Sequence, residues 1–237
     1  MKQYRVKGAR SDLIIQMVNV CKEYPKQQVT ALKDININVE KGEFVFLTGK
    51  SGAGKSTMIS LLFREELPTN GQIVVAGRSL SRLSNKEITV FRRNVGMVFQ
   101  DSRLMADKTV FENVAFAMKV IERPWAQICE EVPKVLERVG LKNREKHFPH
   151  QLSGGEQQRV AVARAIINKP LIVFADEPTG DLDPDTSREL MGLLQEINAA
   201  GTTIIMATHD KEIVNRMQRR VLVLQHGQLV DDQVGGW

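Results

Sequence analysis

The amino-acid sequence predicts an α/β fold in which a buried sheet carries a glycine-rich loop. Short, continuously apolar segments are typical of strands that are covered on both faces. A glycine-rich loop at residues 49–56 follows one of these segments and leads directly into a helical pattern. Between residues 101 and 164, apolar residues recur at spacings of three and four, which is typical of helices.

The composition favours a globular chain. Its 237 residues, of which 42% are hydrophobic, suffice for one large α/β domain or two small ones. Cys21 and Cys129 are the only two cysteines, and they form no close-spaced metal or redox pair. Neither a disulfide framework nor a cysteine zinc site is therefore supported, and a reducing cytoplasm fits best. The apolar segments are too short to cross a bilayer. The net charge of +5 and the pI of about 9.2 favour an anionic partner.

Two kinds of strand are predicted. Residues 13–20 and 31–39 alternate apolar and polar side chains, which predicts half-buried antiparallel strands. Continuously apolar segments predict strands of a parallel sheet at residues 44–48, 171–175, 203–207 and 221–224.

Residues 101–165 are predicted to form a helical subdomain inserted into the sheet. Pro124, Pro133 and Pro149 divide it into short pieces, and Pro133 falls where one long helix would otherwise run. We therefore expect a helix to start or to kink at Pro133. The strands and helices together predict a single domain over residues 13–233, between a flexible basic arm at residues 1–12 and a flexible tail at residues 234–237.

The loop at residues 49–56 is predicted to bind phosphate. Its small residues let main-chain N–H groups converge on phosphate oxygens, and the N-terminus of the following helix adds positive potential. Lys55 is expected to reach the β- and γ-phosphates, and the Ser56 hydroxyl is expected to bind Mg²⁺. A coincidental glycine-rich turn is the alternative, and the strand–loop–helix context disfavours it.

A second nucleotide-binding element is the buried strand that ends in Asp176 and Glu177. The phosphate loop alone leaves kinases, GTPases and many ATPases open. Asp176 would lie beside the metal, and Glu177 would project toward the γ-phosphate, where it could polarise an attacking water. A simple turn and helix start is the alternative, since Pro178 follows directly.

A third element precedes the helical segment at residues 158–166. Ser153 and Glu156 have the spacing of a capping box. That pairing does not account for Gly154 and Gly155, which leave main-chain N–H groups bare at a helix N-terminus. We therefore expect a second anion-binding site there.

These elements resemble an ABC-type ATPase domain over nearly the whole chain. The shared features are, in order, residues 49–56, Gln100, residues 152–157, Asp176 with Glu177, residues 180–183, and His209. The resemblance implies a P-loop NTPase core of the RecA-like type, with an antiparallel β subdomain and the inserted α-helical subdomain. It also implies a head-to-tail dimer that holds each ATP between the phosphate loop of one copy and residues 153–155 of the other.

The resemblance further implies a role for individual residues. Tyr24 would stack on adenine, Gln100 would contact Mg²⁺ and water, and His209 would hydrogen-bond the γ-phosphate, with an ordinary structural role as the alternative for each. The implied catalytic residues are Glu177, His209 and Gln100, and the implied metal ligands are Ser56, Gln100 and Asp176. The implied ATP-binding residues are Tyr24, Gly49, Lys50, Ser51, Gly52, Ala53, Gly54, Lys55, Ser56, Thr57, Ser153, Gly154, Gly155 and Gln157.

Two residues depart from the family pattern. Lys50 puts a second cation at a variable position of the phosphate loop, which should leave binding intact. Asp181 stands where the family commonly has Asn, and it adds negative charge to a loop that would cross the dimer interface. Asp181 therefore puts the strength of dimerisation in doubt.

Within the family, the closer resemblance is to the cell-division branch. It is carried by residues 46–49, 51–57, 99–101, 109–115, 148–159 and 206–210, several of which are shared with lipoprotein-releasing and macrolide-efflux ATPases. It implies a peripheral homodimer at the cytoplasmic face of the plasma membrane, with an integral membrane protein and other cell-division proteins as partners. The alternatives are the ATPase of a lipoprotein-releasing or export transporter, and a soluble ABC ATPase that acts on nucleic acid.

The membrane partner is predicted to dock on residues 101–118, because this segment directly follows Gln100. Its apolar side chains would receive a short cytoplasmic helix, and they are Leu104, Met105, Val110, Phe111, Val114 and Ala115. The alternative is that these residues only pack the helical subdomain.

Overall fold

A computed structural model describes residues 12–235 of the chain. These residues divide into two compact units. The first unit comprises residues up to Arg92 together with those from Thr203 onward, and the second comprises residues 93–202. No helix within residues 12–235 has both the length and the apolar character that a membrane span requires.

The helices and strands follow one another along the chain with short connections. In chain order they are β1 (Leu13–Tyr24), β2 (Val29–Glu40), β3 (Phe44–Thr48), α1 (Lys55–Leu62), β4 (Asn70–Val75), β5 (Arg78–Ser79), α2 (Asn85–Arg92), β6 (Val95–Val98), α3 (Val110–Lys119), α4 (Trp125–Arg138), α5 (Gly154–Ile166), β7 (Ile172–Asp176), α6 (Pro184–Ala199), β8 (Thr203–Ala207), α7 (Lys211–Met217), β9 (Arg220–Gln225) and β10 (Gln228–Val234).

The first unit contains the antiparallel sheet that the alternating segments predict. Its strand order is β2-β1-β4-β5, and β1 pairs with β2 in antiparallel register, with Met17 opposite Ile37. Both of these side chains are buried, as alternation on a half-buried sheet requires. Both long strands extend beyond the predicted bounds, and β1 continues to Tyr24.

The first unit also contains a parallel group of strands around β3. All five residues of β3 are buried, and β3 pairs in parallel with β8 on one side and with β9 on the other. The predicted strands at residues 44–48 and 203–207 are confirmed, and residues 221–224 lie within β9. Because parallel strands point the same way, the carboxyl ends of β3 and β8 meet at one edge.

The second unit combines a two-strand parallel pair with the predicted helices. Here β6 pairs in parallel with β7, and Val98 lies opposite Ala175. Helix α5 packs against β6 and α3, and α3 packs against α4. The predicted helical character of residues 101–165 is therefore confirmed, while the proposed boundaries of the domain and of its helical subdomain stay predictions.

Of the two outcomes expected at Pro133, a helix start is wrong, while a kink stays a prediction. Helix α4 runs from Trp125 to Arg138 with Pro133 inside it. Proline removes one main-chain donor from the helix, which costs about 3 kcal/mol in an isolated helix. An apolar stripe on the same helix, formed by Ile128, Val132 and Leu136, is fully buried and offsets that cost.

The two predicted flexible ends coincide only partly with the described residues. Residues 1–11 of the basic arm and residues 236–237 of the tail lie outside them. Val234, which was expected to begin the tail, instead belongs to β10 and pairs with Arg220. Its neighbour Gly235 donates a main-chain hydrogen bond to the Arg219 carbonyl at 3.3 Å.

Candidate functional site

The phosphate loop leaves the buried end of β3 in a conformation that requires glycine. Gly49 has a φ of +144°, and a Cβ atom there would lie 2.3 Å from the carbonyl oxygen of Leu224 on β9. Gly49 therefore cannot be replaced without moving the backbone of β9. The predicted loop is thus shaped by contact with a strand that is remote in sequence.

The start of α1 is open to an anion. Its N-cap residue is Gly54, which has no side chain to cap the first N–H groups, and the first turn contains no acidic residue. Lys55, the first residue of the helix, is 7% exposed, and its Nζ donates to the Gly49 carbonyl oxygen at 2.9 Å. The ammonium group thus lies across its own loop, and together with the helix N-terminus it concentrates positive potential there.

A hairpin turn near the end of the chain supports the same loop. Gly227, between β9 and β10, donates its main-chain N–H to the Ala53 carbonyl of the phosphate loop at 3.2 Å. The Gly227 carbonyl in turn accepts from the main-chain N–H of Lys33 on β2, at 2.7 Å. The loop is therefore held by hydrogen bonds from outside its own strand–loop–helix segment.

Tyr24, the predicted adenine-stacking residue, ends β1 and is half-buried. Its hydroxyl donates to the Glu66 carboxylate, whose oxygens lie 2.9 and 3.0 Å away, and Lys22 forms an ion pair with Glu66 at 2.6 Å. Burial raises the pKa of Tyr24, and a hydrogen bond with Thr57 partly opposes that rise. The ring is thus fixed by its hydroxyl, and Thr57 connects it to the first turn of α1.

His209 lies at the edge of the sheet from which the phosphate loop departs. It follows β8 by two residues, and Leu47 of β3 lies opposite Ala207 of β8. His209 is exposed, and it directly precedes Asp210, whose side chain accepts from two N–H groups at the start of α7. The first unit therefore contains Tyr24, the loop and His209.

The second unit brings Gln100 and the acidic pair to one edge. Gln100 follows β6 by two residues, Asp176 is the last residue of β7, and Glu177 comes next. The parallel register of β6 and β7 puts all three at the carboxyl ends of neighbouring strands. The Gln100 Nε2 donates to the carboxylate of Asp181, whose oxygens lie 3.2 and 3.3 Å away.

The predicted capping box at the start of α5 is confirmed. Ser153 Oγ accepts from the Glu156 N–H at 3.2 Å, and the Glu156 carboxylate accepts from the Ser153 N–H at 2.9 Å. The Ser153 N–H is the main reason that the pKa of Glu156 lies below its usual range, and the Arg144 guanidinium lowers it further. This turn of helix is therefore well ordered by contacts within the chain.

Gly154 and Gly155 differ in their surroundings. Gly154 is exposed, and a Cβ atom there would meet only Leu182 at 3.8 Å, which is an ordinary contact. Gly155 is buried, and a Cβ atom there would lie 2.2 Å from the Thr186 methyl group on α6. Packing within the chain therefore explains why residue 155 is glycine. Packing does not explain Gly154, which leaves the helix N-terminus accessible.

The segment after Gln100 is only partly available to a partner. Val110, Val114 and Ala115 are completely buried, so they pack the interior, as the alternative held, and cannot line an open docking surface. Leu104, Met105 and Phe111 are half-buried, and the Phe111 ring packs edge-on against the Trp125 ring at 5.9 Å. Asn113, which no sequence pattern singled out, is fully buried; its Oδ1 accepts from the Met105 N–H and its Nδ2 donates to the Met105 carbonyl.

The chemistry of the predicted metal ligands suits Mg²⁺. Ser56, Gln100 and Asp176 offer a hydroxyl, an amide and a carboxylate oxygen, and Mg²⁺ prefers oxygen ligands shared with phosphate and water. Within residues 12–235 no group of three or more His, Cys, Asp or Glu side chains forms a metal site by itself. The ligand set therefore fits an ion that is bound together with phosphate oxygens.

Comparison with known proteins gives consistent matches. A family model described as ABC transporter matches residues 32–180. The chain is 52% identical over 223 residues to the cell division ATP-binding protein FtsE of Bacillus subtilis (strain 168), which covers 94% of this chain and 97% of that protein. It is 45% identical over 199 residues to the cell division ATP-binding protein FtsE of Escherichia coli (strain K12), which covers 84% of this chain and 90% of that protein.

A solved structure extends the match to the fold. The dimeric, post-hydrolysis ATP-binding cassette MJ0796 bound to ADP and Pi has a TM-score of 0.84 and 33% sequence identity, covering 93% of this chain and 98% of that chain. The predicted α/β fold of the P-loop NTPase type is thereby confirmed. The chain belongs to the ABC transporter family and is an ATPase of the ABC type.

Proposed function

We propose that this chain is the ATP-hydrolysing subunit of a cell-division complex, with an integral membrane partner resembling FtsX. It acts as a homodimer at the cytoplasmic face of the plasma membrane, and closure of the dimer around ATP is transmitted across the membrane to regulate cell-wall hydrolysis. The two relatives named as cell-division proteins, which match most of the chain, support this proposal over lipoprotein release or export.

The observation that carries the ATPase assignment is the open start of α1 with Lys55 folded across its loop. The ammonium group and the main-chain N–H groups of the first turn together provide the positive potential that a triphosphate requires. The residues between Gly49 and Thr57 bind the phosphates, and the ring of Tyr24, fixed through Glu66, stacks on adenine.

Hydrolysis requires a group that accepts a proton from the attacking water. Glu177, directly after β7, is that general base, and Gln100 and His209 orient the water and the γ-phosphate. Ser56, Gln100 and Asp176 would hold Mg²⁺, which would supply positive charge to neutralise the phosphates. Gly154, at the open N-terminus of α5, contacts the ATP held by the second copy.

The docking site for the membrane partner is narrowed to Leu104 and Met105. Both are half-buried, and both lie within five residues of Gln100. Asn113 fixes the backbone of Met105, so these two side chains are presented on a loop of defined shape. A short apolar helix of the partner would thereby contact the segment that responds to the nucleotide.

The experiment that tests this function is recovery of an FtsX-type membrane protein with the tagged chain from detergent-solubilised membranes. Leu104→Asp and Met105→Asp should each lose the partner while ATP binding stays intact. Leu67→Asp is the matched control, because Leu67 is 43% exposed in the other unit. Failure of the parent chain to recover any FtsX-type protein would refute the proposed partner, and full recovery with both variants would locate docking elsewhere.

A further inference from the structure

Side chains of helix α5 form hydrogen bonds with the segment that follows β6. Gln158, which is buried, donates to the Phe99 carbonyl at 2.7 Å. Gln157 accepts from the Ser102 hydroxyl at 3.4 Å. These two contacts lie on either side of Gln100, so the backbone that carries Gln100 is fixed to the helix whose N-terminus contains Ser153.

Arg164 makes the strongest of these contacts. Its guanidinium donates to the carbonyl oxygens of Ser102 and Arg103, both at 2.8 Å. Burial lowers the pKa of Arg164, and no carboxylate contributes to that shift. A partly buried charge with main-chain carbonyls as its partners is costly to place, and its bonds are charge-assisted. We therefore attribute to Arg164 the role of fixing the backbone of residues 102–103 rather than of stabilising the fold.

The sequence around Arg164 is consistent with this arrangement. Arg164 interrupts an otherwise apolar helical run, from Val160 to Ile166, whose other members are largely buried. A long charged side chain in such a run needs a specific acceptor.

We propose that Arg164 is a positioning residue that holds Gln100 in place for hydrolysis. This inference rests on the role of Gln100 in the proposed function. Without Arg164, the carbonyls of residues 102 and 103 lose their shared donor and the segment is released from α5, although Gln158 still holds Phe99. Gln100 then samples several positions, so turnover falls while ATP binding, which depends on the phosphate loop, is retained.

The test uses the full chain with Arg164→Met, which keeps the unbranched apolar part of the side chain but removes its donors. We expect kcat to fall about tenfold while KM for ATP stays within twofold. Amide hydrogen exchange at residues 100–105, measured without nucleotide, should become faster. Asn168→Ala is the matched control, because Asn168 follows the same helix and donates to the Ala117 carbonyl at 2.9 Å, away from this segment. It should change neither measurement by more than twofold.

A double substitution distinguishes positioning from general loosening. If Arg164 acts through Gln100, adding Arg164→Met to Gln100→Ala should lower kcat by less than a further twofold, whereas independent effects would multiply. If Arg164→Met does not fold, Arg164→Lys takes its place, with a smaller fall in kcat because a lysine cannot bridge both carbonyls as a planar fork does.

The outcomes separate this inference from the function on which it rests. Multiplying effects, or unchanged exchange at residues 100–105, would overturn the role of Arg164. Parental turnover of Gln100→Ala alone would overturn the role of Gln100 and with it this inference. Loss of ATPase activity in Gln100→Ala, together with parental turnover in Arg164→Met, would leave the proposed function standing and exclude Arg164.

Discussion

Replacing Gly155 by alanine should destabilise the chain, although alanine is the better helix former. The new Cβ atom would lie 2.2 Å from the Thr186 methyl carbon, whereas two carbon atoms prefer a separation of about 3.5–4.0 Å. Thr186 cannot simply rotate away, because its hydroxyl donates to the Asp183 carboxylate at 2.5 Å. Either α5 and α6 move apart or that hydrogen bond is lost.

The size of the effect follows from the overlap. Forcing an extra methyl group into a packed contact costs about 1–3 kcal/mol. For a chain of this length, each kcal/mol lowers the melting temperature by about 2–4 °C, so we expect a decrease of about 2–12 °C. Gly154→Ala meets only an ordinary contact at 3.8 Å and should melt at or slightly above the parental temperature.

Thermal unfolding of four chains checks this reasoning: the parent, Gly154→Ala, Gly155→Ala, and Gly155→Ala combined with Thr186→Ser. Serine removes the clashing methyl group and keeps the hydroxyl that Asp183 accepts from, so the combined variant should recover most of the lost stability. A melting temperature of Gly155→Ala within 1 °C of the parent, or no recovery of stability with Thr186→Ser, would refute the clash with the Thr186 methyl group.

Three further substitutions address the site and its supports. Lys55→Ala removes the charged donor from the phosphate loop, and a loss of about 2–3 kcal/mol should weaken ATP binding by about 30- to 150-fold in a nucleotide titration of folded protein; affinity within a few-fold of the parent would exclude Lys55 from the phosphate site. Glu177→Gln keeps the size of the side chain but removes the proton acceptor, so light scattering should detect an ATP-dependent dimer with little turnover. An unchanged mass with near-parental turnover would contradict that role. Asn113→Ala leaves the buried N–H and carbonyl of Met105 without their partner, and urea unfolding should report a loss of about 1–3 kcal/mol; an unchanged midpoint would show that water or the backbone replaces these bonds.

Local features of the site could be predicted because neighbouring residues determine them. The capping box between Ser153 and Glu156 needs only a turn of helix, and the strand before Gly49 is apolar except for its last residue, Thr48. The start of α1 at Lys55 follows from the same local pattern. These predictions need no knowledge of how distant segments pack.

Features that depend on distant partners escaped the sequence analysis. Pro133 lies inside α4 because buried neighbours hold that helix, and its local propensity alone would have broken it. The positions of Tyr24 and Gly155 are explained by Glu66 and Thr186, residues that lie 42 and 31 positions away in sequence. Spacing along the chain does not show such contacts, and only the folded structure identifies them.

The hydrogen bond from Gly227 to the Ala53 carbonyl has a consequence for the order in which the protein matures. The phosphate loop is translated early, but one of its supports is the hairpin turn at Gly227, which follows Ala53 by 174 positions. A nascent chain that stops short of this turn also lacks the Leu224 carbonyl, against which Gly49 rests. The ribosome must therefore have synthesised Leu224 and Gly227 before the loop acquires its final shape, so a translation product truncated before Leu224 should not bind nucleotide.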